Sequence, residues 1–316
     1  MANTFRFSTS MPSLTGPISA WRDKLRRIED LGYSSVAVSD HFTDGWKMDP
    51  LVVMTAAAEA TTTLRIMPLV LANDYRHPVL LHKSLATLDV LSGGRVEIGL
   101  GAGWKESDYA AANIPLDPAP VRIQRLGEAV EVIKGLLGPE PFSYVGKHYQ
   151  ITELDGLPKP VQKPHPPILI GGGGRLVLEL AGRMADIVGI NPRMRRGQAA
   201  GQSLLDVSSQ GVRAKLTIVR AAARAAGRDP SALRYHMSIQ SVDITDAPDR
   251  RPWVSSIARD VTDPAVLADS PAVLHGTVES CVEALQRRRE EFGLDYLHFG
   301  GDPLVAAPIV ARLAGT

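Results

Sequence analysis

The chain has 316 residues, 44% of them hydrophobic and 22% charged, and a formal net charge of +1. That is globular composition, and the near-neutral balance excludes nucleic acid or a charged membrane surface as a partner held by bulk charge. A lone cysteine, Cys281, excludes an internal disulfide and suits a reducing compartment.

The opening segment MANTFRFSTSMPS carries neither the basic nor the apolar region of a signal peptide. No window reaches the ~20 apolar residues that a membrane span needs. Both point to a cytoplasmic protein.

Short apolar runs then alternate with longer segments of helical period. The strand TFRFS (Thr4–Ser8) precedes a helix that places Trp21, Leu25, Ile28 and Leu31 on one face and stops at Gly32. The strand SVAVS (Ser35–Ser39) follows, then LRIMPLVL (Leu64–Leu71). The next helix opens at Pro78 and closes at Gly93-Gly94, the usual asymmetry of helix ends. Beyond it lie RVEIGL (Arg95–Leu100), the helix VRIQRLGEAVEVIKGLLG, and the strands PILI (Pro167–Ile170), DIVGI (Asp186–Ile190), YHMSIQSV (Tyr235–Val242) and DYLHF (Asp295–Phe299). In the helix TVESCVEALQRRREEFG, Cys281 shares an apolar stripe with Val278, Val282 and Leu285 and reads as a buried, inert thiol.

About eight strand–helix units predict an α/β fold, a (β/α)8 TIM barrel spanning residues 1–316 as one domain. An open doubly wound sheet is the alternative. Insertions fall near 141–166, a hairpin followed by a proline-rich connection, and near 191–211, a polar loop. The stretch 246–264 is also irregular. In either fold, function collects just after each strand.

Four strand ends stand out. Asp40 and His41 follow the second strand. Histidine changes charge closest to neutral pH, while Asp40 also reads as a cap on the next helix. VLANDYRHP follows the third strand, either a ligand-facing turn or a loop closed by Pro78. GLGAGW (Gly99–Trp104) follows the fourth, and its alternating glycines let a flat ligand approach the backbone. GGGGR (Gly171–Arg175) precedes an apolar helix. Backbone N–H groups, a helix N-terminus and a guanidinium make that turn a phosphate site. No strand end carries a His-x-His pair or a Cys/His cluster, so no metal centre is expected.

In this order, LGYSSVAVSDHF, SLATLDVLSGGRVEIGLGAGW, KPHPPILIGGGG, AGRMADIVGIN and HGTVESCVEAL resemble the bacterial luciferase-like superfamily. The chain looks most like its deazaflavin (coenzyme F420)-dependent oxidoreductases, from Phe5 to about Phe299. The resemblance implies a (β/α)8 barrel with insertions and a homodimer. It sets Asp40 and His41 beside the reacting edge of a flavin-like ring, with His41 as the catalytic proton donor or acceptor. It implies a non-proline cis peptide under the ring near Val70-Leu71, with Val70, Leu71 and Ala72 against the cofactor. Ala102 and Gly103 would pass the ring or ribityl chain, and Gly171, Gly172, Gly173, Gly174 and Arg175 would hold the phosphate.

Sugar-phosphate dehydrogenases of this family place a glutamate directly after the Gly-x-Gly of the fourth strand; here that position is Trp104. A second glutamate, after the first strand, is replaced by STSMPS. Met11, Phe42, Trp46 and Trp104 therefore predict a small, flat, apolar substrate, unless all four serve the core. Arg193, Arg195 and Arg196 would attract the acidic tail of F420. The expected activity is hydride transfer between F420 and an organic substrate. An FMN-dependent two-component monooxygenase and a non-catalytic flavin-binding protein are the alternatives.

Overall fold

A computed structural model describes residues 3–43, 45, 47–193, 203, 205–245 and 270–316. Trp46, residues 194–202 and 204 of the 191–211 insertion (Arg195 and Arg196 among them) and the irregular stretch 246–264 lie outside the described residues.

In chain order the elements begin with β1 (Arg6–Ser10), α1 (Ile18–Asp30), β2 (Ser35–Val38), α2 (Pro50–Ala60), β3 (Arg65–Pro68), β4 (Leu71–Ala72), α3 (Pro78–Leu91), β5 (Ile98–Gly101), α4 (Glu106–Ala111) and α5 (Ala119–Leu137). They continue with β6 (Phe142–Val145), β7 (Gln150–Leu154), β8 (Ile168–Gly172), α6 (Arg175–Met184), β9 (Ile187–Ile190) and α7 (Ser209–Ala225). The described chain ends with β10 (Arg234–Ile239), β11 (Ser241–Ile244), β12 (Val273–Gly276), α8 (Val278–Phe292), β13 (Leu294–Phe299) and α9 (Pro303–Leu313).

Local chemistry explains many boundaries. Asp49 Oδ1 accepts from the amides of Leu51 and Val52 at 2.9 and 3.0 Å, capping α2, whose first residue is Pro50. Thr277 caps α8 through the Ser280 amide, and Gly293 closes it at φ 80°. In α1, Trp21, Leu25 and Ile28 are buried, and Leu31 just beyond its end is half-buried, as their spacing predicts. Each such side chain withdrawn from water contributes about 1.5–3 kcal/mol. Cys281 is buried too, and burial pushes its thiol pKa up, away from the reactive thiolate.

The residues divide into two compact units, each drawn from separate stretches of chain. One unit comprises the residues up to Ser10, Arg27–Ser35 and everything from Gly172 on. Here β13 runs parallel between β1 and β10, with Phe7 and Met237 both opposite Leu297, and β10 also pairs with β9. The rings of Phe5, Phe7 and Phe299 stack at centroid distances of 5.9 and 5.6 Å to form part of its core.

The other unit comprises Met11–Arg26 and Val36–Gly171. Its central strand β5 lies parallel between β4 and β8, with Leu100 opposite both Leu71 and Ile170. The hairpin expected near 141–166 is β6 and β7, paired antiparallel, and the connection after it contains cis prolines at 158 and 164.

Two predicted strands are each broken. LRIMPLVL becomes β3 and β4, interrupted by the cis peptide Leu69-Val70. YHMSIQSV becomes β10 and β11, because β11 leaves its predecessor's partners and runs parallel to β12. Among the described residues no helix is long and apolar enough to cross a membrane.

Candidate active site

The unit built on β5 carries a polar cluster just after the C-terminal end of β2. His41 Nδ1 lies 2.6 Å from Asp108 Oδ2. Asp108 sits in α4, is fully buried, and was not singled out from sequence. Its other oxygen, Oδ1, accepts the Phe42 amide at 3.1 Å, the Thr43 amide at 2.9 Å and the Thr43 hydroxyl at 2.6 Å. Burial alone would raise the Asp108 pKa. The bonds from Thr43, His41 and Phe42 favour the ionised form more strongly and bring it down to about 2.

Asp40 serves a different set of contacts. Its carboxylate is 3% exposed and accepts two guanidinium bonds from Arg76, 2.6 Å on Oδ2 and 3.1 Å on Oδ1, plus the Ala72 amide at 3.1 Å. Arg76 also reaches Asp49 at 3.3 Å. The expectation of Asp40 against a cofactor ring thus meets a carboxylate already committed to Arg76 and the β4 backbone. A buried carboxylate needs compensation of this kind.

Aromatic side chains stand around His41. Trp104 meets it edge to face at 5.8 Å, and Phe42 lies 4.7 Å from Tyr75, which lies 5.3 Å from Tyr109. Trp104 and Phe42 are about half exposed, at 50% and 48%. Tyr109 donates to Asp74 at 2.9 Å, and Arg125 binds the other Asp74 oxygen at 2.8 Å and also Asp117. Burial, then neighbouring carboxylates, push the Tyr75 and Tyr109 hydroxyls well above the ordinary tyrosine range. Both remain protonated donors. Met11 is half-buried, with its amide bonded to Ala37 O at 2.7 Å.

The expected cis peptide is Leu69-Val70, one residue before the predicted pair. Val70 is half-buried, whereas the Leu71 side chain is fully buried in the core, so Leu71 offers only backbone. The glycines of GLGAGW have internal causes. A Cβ at Gly99 would overlap Pro68 O, one at Gly101 would crowd Val70 Cγ2, and one at Gly103 would overlap the Tyr109 hydroxyl. Close approach is required here by the protein's own atoms, without any ligand. Arg122 ties this turn down by donating to the carbonyls of Ala102, at 3.0 Å, and Gly103.

The glycine turn ends β8 at Gly171 and continues into the other unit. A Cβ at Gly172 would overlap Val177 and one at Gly173 the Pro192–Arg193 backbone, while Gly174 is open. Gly174 is the N-cap of α6, and no side chain caps that helix. The uncapped amides beside an open glycine keep the character of an anion site. Arg175 does not complete it as expected: its side chain is 78% exposed and donates to Glu179 at 2.7 Å along the helix. Lys215, missed in the sequence, does reach the turn. It is buried and donates to Gly173 O and to Asp206 Oδ2, both at 2.6 Å. Arg193 meets Asp206 through its backbone amide at 2.6 Å.

In the same unit, His298 of β13 lies between two hydroxyls of β1, Ser8 Oγ at 2.9 Å from Nδ1 and Ser10 Oγ at 3.3 Å from Nε2. Burial lowers its pKa to about 4, so it is neutral near pH 7. Among the described residues no group of three or more His, Cys, Asp or Glu side chains is arranged to hold a metal ion.

Parallel strands, most of them followed by helices, define an α/β class of protein. The chain belongs to the luciferase-like monooxygenase family, whose pattern it matches over residues 3–296. It is similar to an FMNH2-dependent dimethylsulfone monooxygenase of Pseudomonas putida, 27% identical over 72% of this chain and 63% of the relative. It is also similar to an F420-dependent glucose-6-phosphate dehydrogenase of Amycolatopsis mediterranei, 31% identical over 51% of this chain and 49% of the relative. The chain thus spans about half to under two thirds of the length of these curated relatives. Among solved structures it resembles an F420-dependent secondary alcohol dehydrogenase in complex with an F420-acetone adduct, at TM-score 0.74 and 20% identity, covering 98% of each chain. The fold is the luciferase-like (β/α)8 barrel, and the family is one of oxidoreductases and monooxygenases whose members use F420 or FMN.

Proposed function

We propose that this protein is an oxidoreductase that moves a hydride between coenzyme F420 and a small, apolar organic substrate, with His41 handling the coupled proton. The observation that carries this reading is the His41–Asp108 pair, a proton-competent imidazole held by a buried carboxylate beside half-exposed aromatic rings. Within the unit built on β5 the Trp104 and Phe42 faces suit a flat ring; taken by itself, the uncapped α6 beside the open Gly174 suits a phosphate.

When bound, a deazaflavin supplies a ring carbon that takes or gives a hydride. The chain's own residues do the rest. With Nδ1 engaged by Asp108, His41 has Nε2 left to exchange a proton with the substrate heteroatom. In the oxidation direction His41 Nε2 would take the proton released from the substrate heteroatom, and in the reduction direction it would return that proton. Phe42, Trp104 and Met11 favour an apolar substrate and exclude water from the transfer. Trp104 at the position where the sugar-phosphate enzymes carry glutamate argues against a sugar phosphate.

A second reading has its own support. The match to the FMNH2-dependent monooxygenase covers more of this chain than the match to the dehydrogenase. Titrating the purified protein with oxidised F420 and with FMN in parallel, followed by fluorescence, separates the two. Micromolar or tighter F420 binding with much weaker FMN binding supports hydride transfer, and the reverse order supports the monooxygenase. Full turnover by His41→Ala with reduced or oxidised F420 would remove the proton role.

The reading includes a homodimer. Exposed Val52 on α2 and Leu80 and Leu91 on α3 supply an apolar face that a second copy would cover. A double Val52→Asp/Leu91→Asp variant should elute as a monomer; a wild type that is itself monomeric refutes the dimer.

A further inference from the structure

We propose that Asp108 is a positioning residue for His41: it holds the imidazole in the Nδ1–H tautomer and thereby keeps Nε2 as the proton acceptor. The inference rests on the catalytic reading of His41 and deepens it. Among the contacts described, the two oxygens of Asp108 have separate duties. Oδ1 is occupied by three donors, the amides of Phe42 and Thr43 and the Thr43 hydroxyl. Oδ2 faces His41 Nδ1 at 2.6 Å. An ionised carboxylate only accepts hydrogen bonds, so the proton in that contact belongs to Nδ1. The depressed pKa of Asp108 keeps it ionised throughout the neutral range. The ring is confined on a second side by the edge-to-face contact with Trp104.

The same division of duties fixes what an amide would do in its place. In Asp108→Asn the three donors select the carbonyl oxygen for the Oδ1 position, because an NH2 there would meet three other hydrogens. The NH2 must then occupy the Oδ2 position and donate to Nδ1. His41 is forced into the Nε2–H tautomer, with its substrate-side nitrogen turned from acceptor to donor. The change of one heavy atom inverts the site's proton logic without moving its backbone.

The test is 15N NMR of protein labelled at histidine, recorded above neutral pH, with the His41 signals identified by their loss in His41→Gln. The wild type should show a protonated, pyrrole-like Nδ1 and a bare, pyridine-like Nε2. Asp108→Asn should show the two exchanged. Its kcat in the F420-coupled assay should fall by about 100-fold or more while KM stays within about threefold, as expected when a catalytic imidazole is held in the wrong tautomer. Thr43→Val removes one donor to Oδ1 and leaves Oδ2 in place, so it should keep the wild-type tautomer. A bare Nδ1 in the wild type overturns the proposal with no variant needed, and so does an unchanged tautomer in a folded Asp108→Asn. These spectra read the resting protein. They stand or fall apart from the cofactor titration and the His41→Ala assay, which test the catalytic reading itself.

Discussion

Replacing Arg76 with glutamine removes the cation that lies against Asp40. The Asp40 carboxylate would keep one neutral donor, the Ala72 amide at 3.1 Å, in place of three. Removing one partner of a buried ion pair costs about 3–5 kcal/mol. The Arg76 side chain is 19% exposed, so water moderates the loss to about 2–3 kcal/mol. Asp40→Asn leaves the arginine its contact with Asp49 at 3.3 Å, and solvent reaches a guanidinium more readily than a carboxylate at 1% side-chain exposure. Its cost should be smaller, about 1–2 kcal/mol. The double variant loses charge and countercharge together and should cost less than the sum, with a coupling energy of about 1–2 kcal/mol. Urea unfolding followed by tryptophan fluorescence measures all four proteins, and similar m-values across the set would license the comparison. A coupling below about 0.5 kcal/mol would refute the view of Asp40 and Arg76 as an energetically coupled buried pair.

Other outcomes follow from the same geometry. Gly103→Ala should lower the thermal midpoint, by a destabilisation of about 1–3 kcal/mol, because φ is +72° and the new Cβ overlaps the Tyr109 hydroxyl; a midpoint equal to wild type would contradict the packing. Asp295 is buried, and burial raises its pKa to about 6, with Arg234 and Asn3 opposing only in part. The folded state then holds this proton more tightly than the unfolded chain. Its contribution is most favourable below about pH 4 and is lost as pH rises through about 6. Asp295→Asn should therefore stabilise the protein at pH 7 relative to wild type by up to about 2 kcal/mol and give little gain at pH 4. Chemical denaturation at the two pH values decides it, and an equal effect at both would be against the burial argument.

Much of the architecture was readable because it is written in local periods. Apolar runs of four to eight residues marked the strands, and the stripe through Trp21, Leu25 and Ile28 marked α1. Pro50, Pro78 and Gly293 sit where helix-end chemistry wants them. His41 stood out as an imidazole abruptly ending a buried strand, and the uncapped turn before α6 as a run of glycines meeting a helix. These features depend on neighbours within a few residues, so the chain order alone displays them.

The rest depends on groups far apart in the chain. Asp108 lies 67 residues from His41, and in WKESDYA it looks like an ordinary acid on a short helix. Arg76 lies 36 residues from Asp40, and nothing local announces that it will claim both carboxylate oxygens. The run LRIMPLVL reads as one strand because hydropathy does not report a peptide-bond isomer such as the one at Leu69-Val70. Gly99 and Gly103 resemble ligand-facing glycines until Pro68 O and the Tyr109 hydroxyl are seen to fill the space beside them. Periodicity reports which face of an element is buried, but it is blind to which distant side chain arrives there. The partners of His41 are arrivals of that kind.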